Sequence, residues 1–168
     1  VIVALAALIV ARVFVAQVKP GVRQSQEDTL VDMANVLAEL ATDDLLAGRI
    51  ADGRFAERVR GLRARDPGAE IWGFPKRASN YRVYVTDGRG IIVFDSSGRD
   101  VGRDYSRWND VHRTLRGEYG ARSTAEDPAD PESTVTHVAA PIRDDQGRIV
   151  GALTVAQPNR AIAPLTAR

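Results

Sequence analysis

Apolar residues run almost unbroken from Val1 to Ala16, interrupted only by Arg12, and the pattern turns polar at Lys19-Pro20-Gly21. A bilayer span needs about 20 apolar residues, so this run is too short to cross unaided. The chain does not start with Met. We therefore expect the numbering to begin inside a longer protein, with residues 1–18 the C-terminal part of a membrane helix. Arg12 and Lys19 would then reach for the interface, as long cationic side chains do near helix ends. A cleaved secretory signal and a buried soluble helix are the competing readings, and Val13-Phe-Val-Ala-Gln-Val-Lys19 is a poor cleavage site.

From Val22 to Leu46 the pattern becomes periodic, with Leu30, Met33, Leu37 and Leu40 at steps of three and four. That spacing predicts a long helix with one apolar face, read as core packing in preference to a dimer seam. Pro20-Gly21 is the only punctuation before it and a place for a kink. A second helix is predicted from Arg54 to Arg65 on Phe55, Val59 and Leu62, closed by Asp66-Pro67-Gly68. Tyr81–Thr86 and Ile91–Phe94, joined through Asp87-Gly88-Arg89-Gly90, read as a β-hairpin. Ser106–Arg116 is a short helix with Trp108, Val111 and Leu115 on one face. Strands are predicted at Tyr119–Thr124, Thr134–Ile142 and Ile149–Ala156, the last two joined by the Asp144–Gly147 turn. Helical character resumes at Pro158. The sum is an α+β fold: a five-stranded antiparallel sheet with a long entering helix and short covering helices. By analogy this is the layout of extracytoplasmic PAS-like domains.

The 150 or so residues after the apolar run fit one domain with its own core. With 23 basic and 22 acidic side chains the net charge is +1, which gives no reason to expect nucleic acid as a partner. The absence of cysteine excludes disulfides and thiol chemistry without fixing the compartment. Two histidines and scattered carboxylates have no metal-ligand spacing, so no metal site is expected. The carboxylates Asp95, Asp100 and Asp104 raise the question of Ca²⁺, but intervening glycines and arginines favour a solvated turn. No nucleophile elbow or Ser-His-Asp order supports a hydrolase.

Three stretches go beyond layout: Val18-Lys-Pro-Gly-Val-Arg23; Gly102-Arg-Asp-Tyr-Ser-Arg-Trp-Asn-Asp-Val111; and Leu115-Arg-Gly-Glu-Tyr-Gly-Ala-Arg-Ser-Thr124 followed by Asp127-Pro-Ala-Asp-Pro-Glu-Ser133. With Val138-Ala-Ala-Pro-Ile142 and Gln157-Pro-Asn159, they resemble the CreC family of bacterial two-component sensor histidine kinases along essentially the whole chain. The general pattern is also similar to single-Cache sensor domains, which serve chemoreceptors and cyclases as well. The resemblance implies an extracytoplasmic PAS-like (Cache) sensor domain at residues 19–157. Residues 158–168 would start an exit helix toward a second membrane span. It implies a cell inner membrane protein with this domain on the periplasmic side. It further implies a homodimer, a response-regulator partner, and a cytoplasmic kinase domain using ATP and Mg. No catalytic part and no cofactor site is expected in these residues, and neither His112 nor His137 is the phosphoaccepting histidine.

In such a sensor a small ligand would lie between the sheet and the loop and helix that cover it. Alternation puts Arg82 and Tyr84 on one side of their strand and Tyr81, Val83 and Val85 on the other, the better core face. Arg82 is then either solvated or a guanidinium fork for a carboxylate. Tyr105, Arg107 and Trp108 stand at the start of the covering helix, where they would suit a small anion; core packing of Trp108 is the plainer alternative. Arg122 and His137 fall on neighbouring strands and complete the ligand-binding candidates. Rival readings are a same-fold sensor on a chemoreceptor or cyclic-nucleotide enzyme, and a periplasmic protein-interaction module whose cavity Trp108 and Tyr84 would fill.

Overall fold

Valine alternates with tyrosine and arginine along residues 81–85, and the pleat sends the two sets to opposite sides of one strand. In the computed structural model, which describes residues 2–71, 74–76, 79–125, 127–130 and 133–159, both sides are covered. The chain forms helix α1 (Ile2–Leu46) and α2 (Arg54–Ala64), then two short strands, β1 (Ala69–Ile71) and β2 (Phe74–Lys76). Strands β3 (Arg82–Asp87) and β4 (Ile92–Asp95), helix α3 (Asn109–Leu115), and strands β5 (Gly120–Ala125), β6 (Thr134–Arg143) and β7 (Ile149–Pro158) follow. The last five strands make one antiparallel sheet in the order β4-β3-β7-β6-β5, as expected for the α+β layout, and β1 pairs with β2 alone.

One sheet face carries Val83, Val85, Val138, Ala140, Leu153 and Val155, and α1 lies across it. The helix makes that contact through Leu30, Ala34, Ala38 and Ala41, all nearly without exposure, and Met33 and Leu37 pack at the side. The predicted stripe is thus rotated, and Leu40 is 65% exposed. Alanines let the helix backbone approach the sheet closely, and their weak hydropathy hides them from a pattern read on leucines. From α2 come Phe55, Ala56 and Val59, whereas Leu62 is largely outside. The Asp44 carboxylate, at the end of α1, accepts the Phe55 N–H at 2.8 Å and so caps α2.

The opposite face holds a second cluster, Tyr84, Ile92, Tyr105 and Val111. It is covered by α3 and the segment from Ser96 to Trp108. Helix α3 sits tight on β5 because Gly120 has no side chain: a Cβ there would collide with the Asp110 carbonyl oxygen and Thr114 Oγ1.

Four expectations need correction. Helix α1 runs unbroken through Pro20-Gly21. Trp108 is extended, stands outside α3 and is 46% exposed, so it does not share a core stripe with Val111. Strand β7 extends to Pro158, so no helix begins there; residues 160–168 lie outside the described residues. Arg82 is not solvated, as its ion pairs below make plain. Among the described residues no helix is long and apolar enough to cross a membrane.

Candidate functional site

Strand register builds the site. Arg122 pairs with His137, His137 with Ala156 and Ala156 with Arg82, so these four residues form one row across β5, β6, β7 and β3. The next row on the same face reads Gly120, Ala139, Thr154, Tyr84, Asp95. Three strand spacings separate the Arg82 and Arg122 backbones, about 14 Å. Their long side chains converge over the small Ala156 toward the same tyrosines. The Arg82 guanidinium carbon lies 5.0 Å from the Tyr84 ring centre, and that of Arg122 lies 5.9 Å from the Tyr105 ring and 4.6 Å from that of Trp108.

Each arginine has a carboxylate beside it. Arg82 donates to Asp95 through Nε (3.0 Å) and Nη2 (2.7 Å), and Nη2 also donates to Asp100 (2.7 Å). Burial opposes the Arg82 charge, but the bonds and charge of Asp95 and then the bond to Asp100 outweigh it and hold the guanidinium above its ordinary range. Burial likewise opposes the Asp95 charge; the Arg82 bond, followed by those from Ser97, brings its carboxyl down to about 2.

Arg122 donates through Nε to Asp110 (2.6 Å) and through Nη2 to the Tyr84 hydroxyl (3.2 Å). Asp110 is fully buried and also accepts from Tyr84 Oη and from Thr154 Oγ1 (3.0 Å). Burial, then the Asp110 charge, pushes the Tyr84 phenol well above its usual range. His137 closes the network, with Nδ1 3.4 Å from Tyr84 Oη and Nε2 3.2 Å from Thr124 Oγ1. Burial, then the Arg122 charge, lowers its pKa from 6.5 to about 4, so the imidazole is neutral.

Above these rows opens a cleft of about 940 Å³. Its lining includes Arg82, Tyr105, Trp108, Arg122 and His137, with Tyr84 fully buried just beneath. Arg107, also singled out in the sequence, is exposed and is not among the lining residues. Arg63, Arg99 and Arg103 add to the rim, while Asp100 contributes a carboxylate. Counting buried Asp95 and Asp110, five arginines face three carboxylates, a surplus of positive charge suited to an anion. No group of three or more acidic or histidine side chains among the described residues could hold a metal ion.

Sequence reasoning missed Asp110 and Thr154 and took Asp95 for part of a solvated turn. The available signal was Tyr84 two residues from Arg82, a large aromatic on the strand face opposite the valines, which marks a second buried face. A lone Asp on a short helix gives no signal of its own.

The chain is 52% identical to Sensor protein CreC of Escherichia coli (strain K12) over 167 residues, 99% of this chain. The chain is a CreC homologue. The match bears out the CreC resemblance read from the Gly102–Val111 and Leu115–Thr124 motifs, and the chain spans about a third of that relative's length, 35%. No protein-family model matches the chain. Among solved structures, the V. cholerae histidine kinase DctB sensor domain superposes with a TM-score of 0.63 at 12% identity, covering 91% of this chain and 56% of that one. The E. coli DcuS sensor domain gives 0.53 at 13% identity, over 81% of this chain and 90% of that one. At such identities the likeness is one of fold, and it is the PAS-like, Cache-type layout expected from the element order.

Proposed function

We propose that this chain is the signal-input region of a membrane-bound two-component sensor histidine kinase and that the arginine cleft receives a small anionic ligand. Residues 1–18 belong to an anchoring helix, and residues 19–157 form a sensor domain on the periplasmic side of the inner membrane. In the full-length protein, a homodimer, ligand binding controls autophosphorylation and transfer to a response regulator. The CreC homology supports the kinase context. The observation that carries the ligand reading is the open cleft with Arg82 and Arg122 converging on it. It favours a small molecule over a protein-interaction module, because Trp108 and Tyr84 leave the space empty. The ligand acts by binding one arrangement of the domain better than another, and its differential affinity sets the size of the response.

Thermal unfolding against a panel of small carboxylates, phosphates and sugars tests this. A ligand at 100 times its dissociation constant stabilises by about 2.7 kcal/mol, and the shift is expected for anions only. It is expected to vanish in Arg122→Gln. A shift that survives in Arg122→Gln would place the ligand elsewhere; a full panel without any shift would end the ligand reading.

A further inference from the structure

The two arginines are satisfied in different ways. Asp110, the partner of Arg122, is sealed beneath the cleft. Arg82 has a comparable sealed partner in Asp95, whose side chain is 0% exposed and meets the guanidinium with both oxygens. That bidentate pair already neutralises Arg82. Asp100 is therefore a second anion on the same nitrogen, and it comes from the cleft side, where it forms part of the lining.

Three donors meet on this one carboxylate, Arg82 from β3 and Arg103 and Tyr105 from the segment that carries Asp100 itself. Arg82 Nη2 and Tyr105 Oη each reach Asp100 Oδ2 at 2.7 Å, and Arg103 Nη1 reaches Oδ1 at 3.1 Å. Two cations and a phenol around a single carboxylate constitute an anion site, here filled by the protein's own side chain. Asp100 rides on an irregular loop, and at Gly98 and Gly102 on either side nothing lies within 4 Å of where a side chain would project. The turn that carries Asp100 thus borders open space, and the Asp100 N–H donates to Asp95 Oδ2 at 3.1 Å.

We propose that Asp100 is a built-in surrogate ligand. An anionic group of the incoming molecule, carboxylate or phosphate, takes its place on Arg82, Tyr105 and Arg103, and the displaced Asp100 frees the Gly98–Val101 turn that carries it, while Arg103 stays beside β4 through the backbone bonds of Gly102 N–H to the Ile92 carbonyl (2.8 Å) and of Ile92 N–H to the Arg103 carbonyl (2.9 Å). The inference rests on the cleft being the ligand site. One anion replaces another, so Arg103 keeps a counter-charge, whereas a neutral sugar could not make the exchange without leaving that cation short of one. Because Asp100 is tethered, it competes with every ligand, and the measured affinity is lowered by the fraction of time it occupies the site.

The test is calorimetric titration of the full chain in mild detergent with succinate and with inorganic phosphate, for wild type, Asp100→Asn and Arg122→Gln. Asp100→Asn keeps the shape but removes the competing charge, and is expected to bind at least one probe about tenfold more tightly. Asp100→Ser, which withdraws the side chain, carries the same expectation and guards against a folding defect in one variant. The better probe tells whether carboxylate or phosphate is the preferred chemistry. Equal or weaker binding by both Asp100 variants, with wild-type binding still lost in Arg122→Gln, would overturn the surrogate and leave the cleft standing. Absence of Arg122-dependent binding in wild type and in both Asp100 variants would overturn the cleft reading and the surrogate with it.

Discussion

Asp110 ties three elements together from a position with no exposure, holding Arg122 from β5, Tyr84 from β3 and Thr154 from β7. Removing one partner of a buried ion pair leaves an uncompensated charge, so Asp110→Ala is expected to cost about 3–5 kcal/mol in urea unfolding. Loss of less than about 1 kcal/mol would mean that Arg122 finds water or another anion. His137 gives a pH dependence. Its pKa is about 4 when folded against 6.5 ordinarily, so between those values the unfolded chain binds more protons and stability falls as pH falls. The contribution is fully present above 6.5 and gone below about 4. It amounts to roughly 3 kcal/mol over the window, and His137→Asn should flatten that part of the stability profile. Of these residues, Arg82 and Tyr84 were legible as sharing a strand face. Their burial was not, because alternation locates a face without saying whether something covers it. Asp110 lacked even that, since a carboxylate on a seven-residue helix reads as solvated by default.

At the scale of elements, alanine decides where α1 lies. Ala38→Leu is expected to destabilise by about 1–3 kcal/mol through overpacking against the sheet. Leu40→Ala, at an exposed position, should change stability by no more than about 0.5 kcal/mol; chemical denaturation of the two variants compares them directly. A larger loss at Leu40 than at Ala38 would restore the leucine stripe as the packed face. The hairpins around Gly88 and Asp144 were legible because turn chemistry and strand alternation agree there. The β1–β2 pair was not, since three-residue strands give too little pattern. Prolines misled the reading of β7: Pro158 pairs with Val135 of β6 but lies beyond the last β3 partner, Arg82 opposite Ala156. A proline costs little where only one neighbour remains and its missing N–H is not required.

For the whole molecule, order of elements and family motifs agreed, and the five strands form the one antiparallel sheet that the α+β reading expects. What pattern alone could not supply was the depth of the cleft, which depends on how the 97–108 segment walls it beside the open sheet face. One proportion of the molecule has a mechanical consequence. Helix α1 is 45 residues long, about 68 Å, and its buried alanine-rich face lies on the sheet from Leu30 onward. The 28 residues back to Ile2 form an arm of about 42 Å, so a tilt of roughly 3° about the sheet contact sweeps its tip by about 2 Å. The packed alanines are the fulcrum of that lever. A repacking too small to alter the core visibly at Ala38 is thereby magnified at the far end, and stiffness along the arm matters as much as affinity in the cleft.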